Sequence, residues 1–136
     1  MTDTELDALI AEKVMGWKLL VVQDPSRAIN FGDHFENWVA DNGDGPGMYA
    51  PYEWKPSESI DLAMKVVEKM GDWDGFDFML THQFKNHIGM RSWSAGFVEY
   101  NDDGSYEWHA LGEHSTSPAR AICLAALKAM GVEIHD

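Results

Sequence analysis

Apolar residues recur at helical spacing near the start, in the middle and at the end of the chain, and alternate at strand spacing in between. The first helical stretch places Leu6, Leu9, Ile10, Val14 and Trp17 on one stripe, with Asp7, Glu12 and Lys13 among the other positions. Thr2 and Glu5 have capping-box spacing ahead of it, and it stops near Gly16. Lys18 to Gln23 is short and β-branched at its centre, which predicts a strand or an extended edge ended by Asp24-Pro25-Ser26. A second helix starts at Ser57 or Ser59 and runs from Ile60 to Met70. Its predicted inner stripe is Ile60, Ala63, Met64 and Val67, and Gly71 ends it before a turn over Asp72-Trp73-Asp74-Gly75. The third helix has the clearest signals. Ser117 is a good N-cap, Pro118 suits the first helical position, Lys128 faces the negative end of the dipole, and Gly131 can take the left-handed conformation after the last turn. Between these signals nearly every residue is small or apolar, so burial on most sides is expected.

Three strands are expected at about 76–84, 90–100 and 106–112. In the first, Phe76, Phe78, Leu80 and Phe84 share a face with His82. In the second, Trp93, Ala95 and Phe97 oppose Ser92, Ser94 and Val98. Asn101-Asp102-Asp103-Gly104-Ser105 is a hairpin signal, because Asp-Gly supplies a positive φ. The return strand sets Tyr106, Trp108 and Ala110 against Glu107, His109 and Leu111. The result is an antiparallel meander whose apolar face receives the C-terminal helix. The predicted fold class is α+β, a layered helix–sheet–helix sandwich with N-terminal, middle and C-terminal helices. Residues 24–58 break the pattern. Glycines and prolines recur there beside Phe31, Phe35, Trp38, Tyr49, Tyr52 and Trp54. An irregular segment this long reads either as an aromatic flap on the core or as a ligand-facing wall.

Composition narrows the classes. A chain of 136 residues with 45% apolar content reads as one domain over 1–136. The net charge of −13, with ten scattered basic residues, argues against a general nucleic-acid binder. It suits solubility, or mimicry of nucleic acid toward a basic protein. Cys123 is the single cysteine, so it forms no disulfide within the chain and reads as inert packing in a reducing cytosol. The acidic N-terminus is neither a signal nor a transit peptide, and no apolar run nears the ~20 residues that span a bilayer.

No catalytic or metal motif emerges. The six histidines lack the His-Glu-x-x-His spacing, and there is no cysteine pair. Asp41-Asn42-Gly43-Asp44-Gly45 has glycine at a ligand position of a calcium loop and lacks the closing glutamate, so it reads as a turn. No Walker, dinucleotide or Gly-x-Ser-x-Gly spacing occurs. No metal and no cofactor is expected. The second face of the sheet offers Asp77, Met79, Thr81, Gln83, Ser92, Ser94, Glu107 and His109, with Lys85 and Arg91 near its edges. It is either solvated, covered by the first helix, or closed by the aromatic segment around a small polar ligand. On that last reading the ligand-binding residues are Phe31, Trp38, Tyr49, Tyr52, Trp54, Arg91, Ser92, Ser94 and His109.

The stretches Leu6–Trp17, Ser57–Met70 with its Val66-Val67-Glu68-Lys69-Met70, and Ala121–Glu133, in this order and spacing, resemble the phage ABA-sandwich domain family of small phage and prophage proteins. The resemblance covers most of the chain and rests on helix-packing residues. It implies a helix–sheet–helix sandwich and carries no catalytic motif, and the segment from Phe31 to Trp54 reads as this chain's own elaboration. The setting implies a cytoplasmic protein of an infected or lysogenic bacterium. It suggests a non-enzymatic binder that counteracts host defence by sequestering a small nucleotide-type signal. The alternatives are an acidic inhibitor of a host protein and a hydrolase with an unrecognised site. A homo-oligomer would add enclosure at subunit interfaces.

Overall fold

The C-terminal helix forms as α3 (Pro118–Ala129) in a computed structural model that describes residues 2–22, 35–40, 49–74, 76–83, 92–115 and 117–134. Ser117 Oγ accepts the Arg120 N–H at 3.3 Å, and Pro118 opens the first turn. At the other end Gly131 takes φ +80°. Its N–H donates to Lys128 O at 3.0 Å and that of Val132 to Leu127 O at 2.9 Å, a Schellman arrangement that satisfies two terminal carbonyls. Ala119 and all of residues 121–127 are buried, as the absence of a polar face requires.

α3 packs on β4 (Ser92–Tyr100) and β5 (Tyr106–Ser115), and its small side chains let it lie close to the sheet. With β3 (Asp77–Gln83) these strands form an antiparallel sheet in the order β3-β4-β5. Phe76, Phe97 and Ala95 are buried, and Phe97 meets the Phe78 ring at 5.3 Å between centroids. The predicted alternation holds at Phe76, Ala95 and Phe97. Tyr106, expected on the apolar face with Ala110, is instead exposed, because the shifted register pairs it with Tyr100 and pairs Ala110 with Phe97. Gly104 at φ +86° makes the β4–β5 turn. A register shift between Ala95 and Val98 interrupts the β4–β5 pairing. The second face is open along β3, where Asp77, Met79 and Thr81 are exposed, and closed at Val98, which is buried.

On the N-terminal side Thr2 and Glu5 make the capping box of α1 (Asp3–Leu9). The chain widens into a π-helical turn over Ile10–Val14, closed by Met15 N–H donating to Ile10 O at 3.0 Å. Leu6, Ile10, Ala11 and Val14 are fully buried, and this helical stretch packs against α3. Gly16 at φ +73° turns the chain out. Trp17 continues the helical spacing in sequence, but here it opens β1 (Trp17–Val22). Among the described residues, three α-helices and antiparallel sheets of two and three strands make an α+β fold consistent with the expected sandwich.

The structure changes two expectations. The segment at 24–58 contains a strand, β2 (Phe35–Ala40), which pairs with β1 from Trp17↔Ala40 to Val22↔Phe35, and Tyr49 extends the pairing through a bridge to Trp38. The middle helix, α2 (Ile60–Asp74), starts at Ser59, whose hydroxyl accepts the Leu62 N–H at 3.4 Å, and runs through Gly71. Its buried stripe is Ala63, Val66 and Met70, while Ile60 and Met64 are exposed. The two stripes share spacing, and the position of α3 against α2 selects between them.

Candidate functional site

Residues 50–59 hold a compact run of turns. Trp54 N–H donates to Ala50 O at 3.1 Å, Glu53 Oε1 accepts the Ala50 N–H at 3.0 Å, and Ser59 N–H donates to Lys55 O at 2.9 Å. Pro51 and Pro56 fix φ where each turn begins, which suits their fixed ring geometry. These turns deliver Trp54 inward, 1% exposed, where its indole N–H donates to Asp7 O of α1 at 3.1 Å. Behind it, Trp54 meets Trp17 at 4.6 Å and Tyr49 at 5.1 Å between ring centroids, and Trp17 stacks on Tyr49 at 5.6 Å. Each pairing adds to the area these rings already bury.

The same turns leave a cleft of about 520 Å³ between themselves, α1 and the β1–β2 ribbon. Asp3, Thr4, Asp7 and Ala8 form the α1 wall. Leu19 and Trp38 line it from the strands, and Pro51, Tyr52, Trp54, Lys55 and Glu58 close it from the turns. Trp38 and Trp54 are core residues that also border the space. Tyr52, 73% exposed, stands at its rim.

Asp7 is the unusual group. It is 5% exposed, and its Oδ1 accepts the Ser57 N–H at 2.8 Å. Burial pushes its carboxyl up to about 6 from the ordinary 3.8. The Ser57 N–H opposes that rise, while the like charges of Asp3 and Glu58 add to it. The Ser57 hydroxyl pulls in the same direction as its N–H, yet it is buried without a hydrogen bond of acceptable geometry among the described residues. Asp3 pairs with Arg120, and Glu58 lies 3.8 Å from Lys55 with both side chains half exposed. Sequence reading placed Asp7 on a polar face. The available signal was its spacing, since Asp7, Ala11 and Val14 stand at i, i+4 and i+7 and all three are buried.

Of the predicted ligand residues, Trp38, Tyr52 and Trp54 meet at this cleft. Tyr49 lies behind Trp54 and borders a smaller hollow of about 190 Å³ with Met15, Trp17 and the α2 residues Lys65, Glu68, Lys69 and Asp72. Ser92 and Ser94 belong to β4 and His109 to β5, strands that contribute none of the described lining of the cleft. Phe31 and Arg91 fall outside the described residues. The aromatic segment was read either as a flap on the core or as a wall closing over the far face of the sheet. Its described aromatics Trp54 and Tyr49 follow the first reading and pack on the core with Trp17 and α1, where the Trp54 indole N–H finds its acceptor.

The lining pairs no nucleophile with a base among the described residues. Ser57 does not line the cleft, and burial pushes the Cys123 thiol far above its usual range, which keeps it protonated. No group of three or more His, Cys, Asp or Glu side chains is placed to hold a metal ion among the described residues. In comparison with known proteins, the model of the Phage ABA sandwich domain matches residues 8–127. No curated protein and no solved structure matches the chain.

Proposed function

The chain belongs to the phage ABA sandwich domain family, and on that premise we propose that it is a non-enzymatic binding protein working through the cleft between α1 and the 50–59 turns. The observation that carries this reading is the cleft itself. About 520 Å³ lies within the range of small-molecule sites, and its lining is aromatic and apolar with a few convergent polar groups. The absence of a nucleophile–base pair in the described lining favours capture over turnover. A role in counteracting host defence, by sequestering a small nucleotide-type signal in the cytoplasm of the bacterial host, follows from the phage setting and from the exposed Tyr52 ring, on which a base can stack. No described helix is long and apolar enough to cross a membrane.

A second reading has its own observation. The net charge of −13 and the carboxylates Asp3, Asp7 and Glu58 along the lining favour an acidic inhibitor that seats a host protein's basic surface. Thermal denaturation with a panel of nucleotides, small cations and basic peptides tests the cleft. A ligand held there should raise stability by about 2.7 kcal/mol at a hundredfold excess over Kd, be released unaltered, and lose its effect in Tyr52→Ala. A flat profile across the whole panel would remove the cleft as a binding site, and chemically altered ligand would make the protein an enzyme.

A further inference from the structure

The cleft's charges bear directly on what it can hold. Its lining carries three carboxylates, Asp3, Asp7 and Glu58, against the single ammonium of Lys55, which already lies near Glu58. A phosphate placed inside the cleft would lose water and meet like charge, so a nucleotide could enter only by its base, and the lining favours a cation over it. Asp7 adds a more specific observation. It is nine-tenths buried, lines the cleft, and uses Oδ1 for the Ser57 N–H, while its second oxygen has no hydrogen-bond partner among the described residues. That oxygen is not among the buried unsatisfied atoms, so it meets solvent at the cleft and is open to a ligand, and the strongest donor to a carboxylate carries positive charge. Tyr52, 73% exposed at the rim, offers a negative π face that attracts cations, while Trp38 and Trp54, 4% and 1% exposed, border the space only by their edges.

We propose that this cleft is a binding site for an organic cation of the alkylguanidinium or alkylammonium class, with Asp7 as its counter-ion and the exposed Tyr52 ring as its cation–π partner. This rests on the reading of the cleft as a binding site and names the chemistry that it selects. A guanidinium fits the donor requirement best, because its planar fork can give one N–H to Asp7 and lay its face against a ring. Asp3 and Glu58 would then act as a field that draws the cation in, each kept near the rim by its pairing with Arg120 or Lys55. The same chemistry reaches the site from two sources, a free amine or guanidine and a basic side chain of a protein.

The test is calorimetric titration of the full chain with agmatine, with spermidine, with a short arginine-containing peptide and with a cyclic nucleotide. Saturable binding of agmatine or spermidine, weakened by about tenfold or more in Asp7→Asn and in Tyr52→Ala, is the expected result. Binding of the peptide at least tenfold tighter than agmatine would assign the cation to a protein partner, and the reverse order would assign it to a free amine. Asp7→Asn keeps an acceptor for the Ser57 N–H, and its melting temperature reports that the fold is intact. Cation binding unchanged in Asp7→Asn would overturn the proposal. Saturable nucleotide binding that is lost in Tyr52→Ala, without cation binding, would also overturn it while leaving the cleft as a binding site. Binding of neither class would remove both.

Discussion

Asp7→Asn isolates the charge of one buried carboxylate with little change of shape. The amide oxygen of asparagine can accept the Ser57 N–H that now donates to Asp7 Oδ1 at 2.8 Å, and the backbone acceptor for the Trp54 indole is untouched. What disappears is a negative charge on a residue that is 5% exposed. The carboxyl is raised from 3.8 to about 6, first because burial disfavours the charged form. At about 1.4 kcal/mol per pH unit this corresponds to at most about 3 kcal/mol of instability when Asp7 is ionised. The group borders an open cleft, so solvent screening brings the figure nearer to about 1–2 kcal/mol. The direction follows from linkage. The folded pKa lies above the unfolded one, so between about pH 4 and 6 the native state binds more protons, and stability falls as pH rises through that window. Above it the loss is complete. An asparagine side chain does not titrate, so the variant should be more stable than the parent by about 1–2 kcal/mol at pH 7.5, with the difference vanishing near pH 3.5. Urea denaturation of both proteins at pH 7.5, 6, 5 and 4 measures this, and the melting temperature should rise by several degrees at the highest pH. A less stable variant at pH 7.5 would mean that the charge-assisted bond from Ser57 outweighs desolvation, and would refute the reasoning. So would a gain independent of pH.

Three further outcomes follow from the packing. Ala125→Phe should cost on the order of 1–3 kcal/mol in chemical denaturation, since Ala125 is fully buried and the added ring must displace its neighbours. Ser117→Ala should cost about 0.5–2 kcal/mol in the same assay, because the Arg120 N–H loses its cap. Cys123 is fully buried with its thiol held protonated, so labelling by a thiol reagent should follow the unfolding rate, and fast labelling of the native protein would contradict its placement.

The helix ends were legible because each is a local device. Thr2 and Glu5, Ser117 and Pro118, and Gly131 act within a turn of the residues they cap, and Gly104 acts within a single hairpin. The alternation of Phe76, Phe78 and Leu80 was legible for the same reason, since neighbours two apart share a face. β2 was not. Phe35-Glu36-Asn37-Trp38-Val39-Ala40 has no clean alternation, and its hydrogen bonds go to β1, across residues that intervene in sequence. Asp7 was hidden because a carboxylate on a helix reads as solvated unless something covers it. The cover comes from Trp54 and Ser57, dozens of residues away.

By itself the sequence determined the family, the α+β class, the buried alanine-rich α3 and the β3-β4-β5 meander, because their hydrophobic spacing, caps and hairpin turn are patterns written among close neighbours in the chain. Tertiary structure decided which stripe of α2 turns inward, that β2 exists, and where the aromatic segment goes. It also decided that Trp38, Tyr52, Trp54 and Asp7 border one cleft. The physical reason is that strand pairing and desolvation are properties of what a residue meets, and for these residues the partners lie far away along the chain.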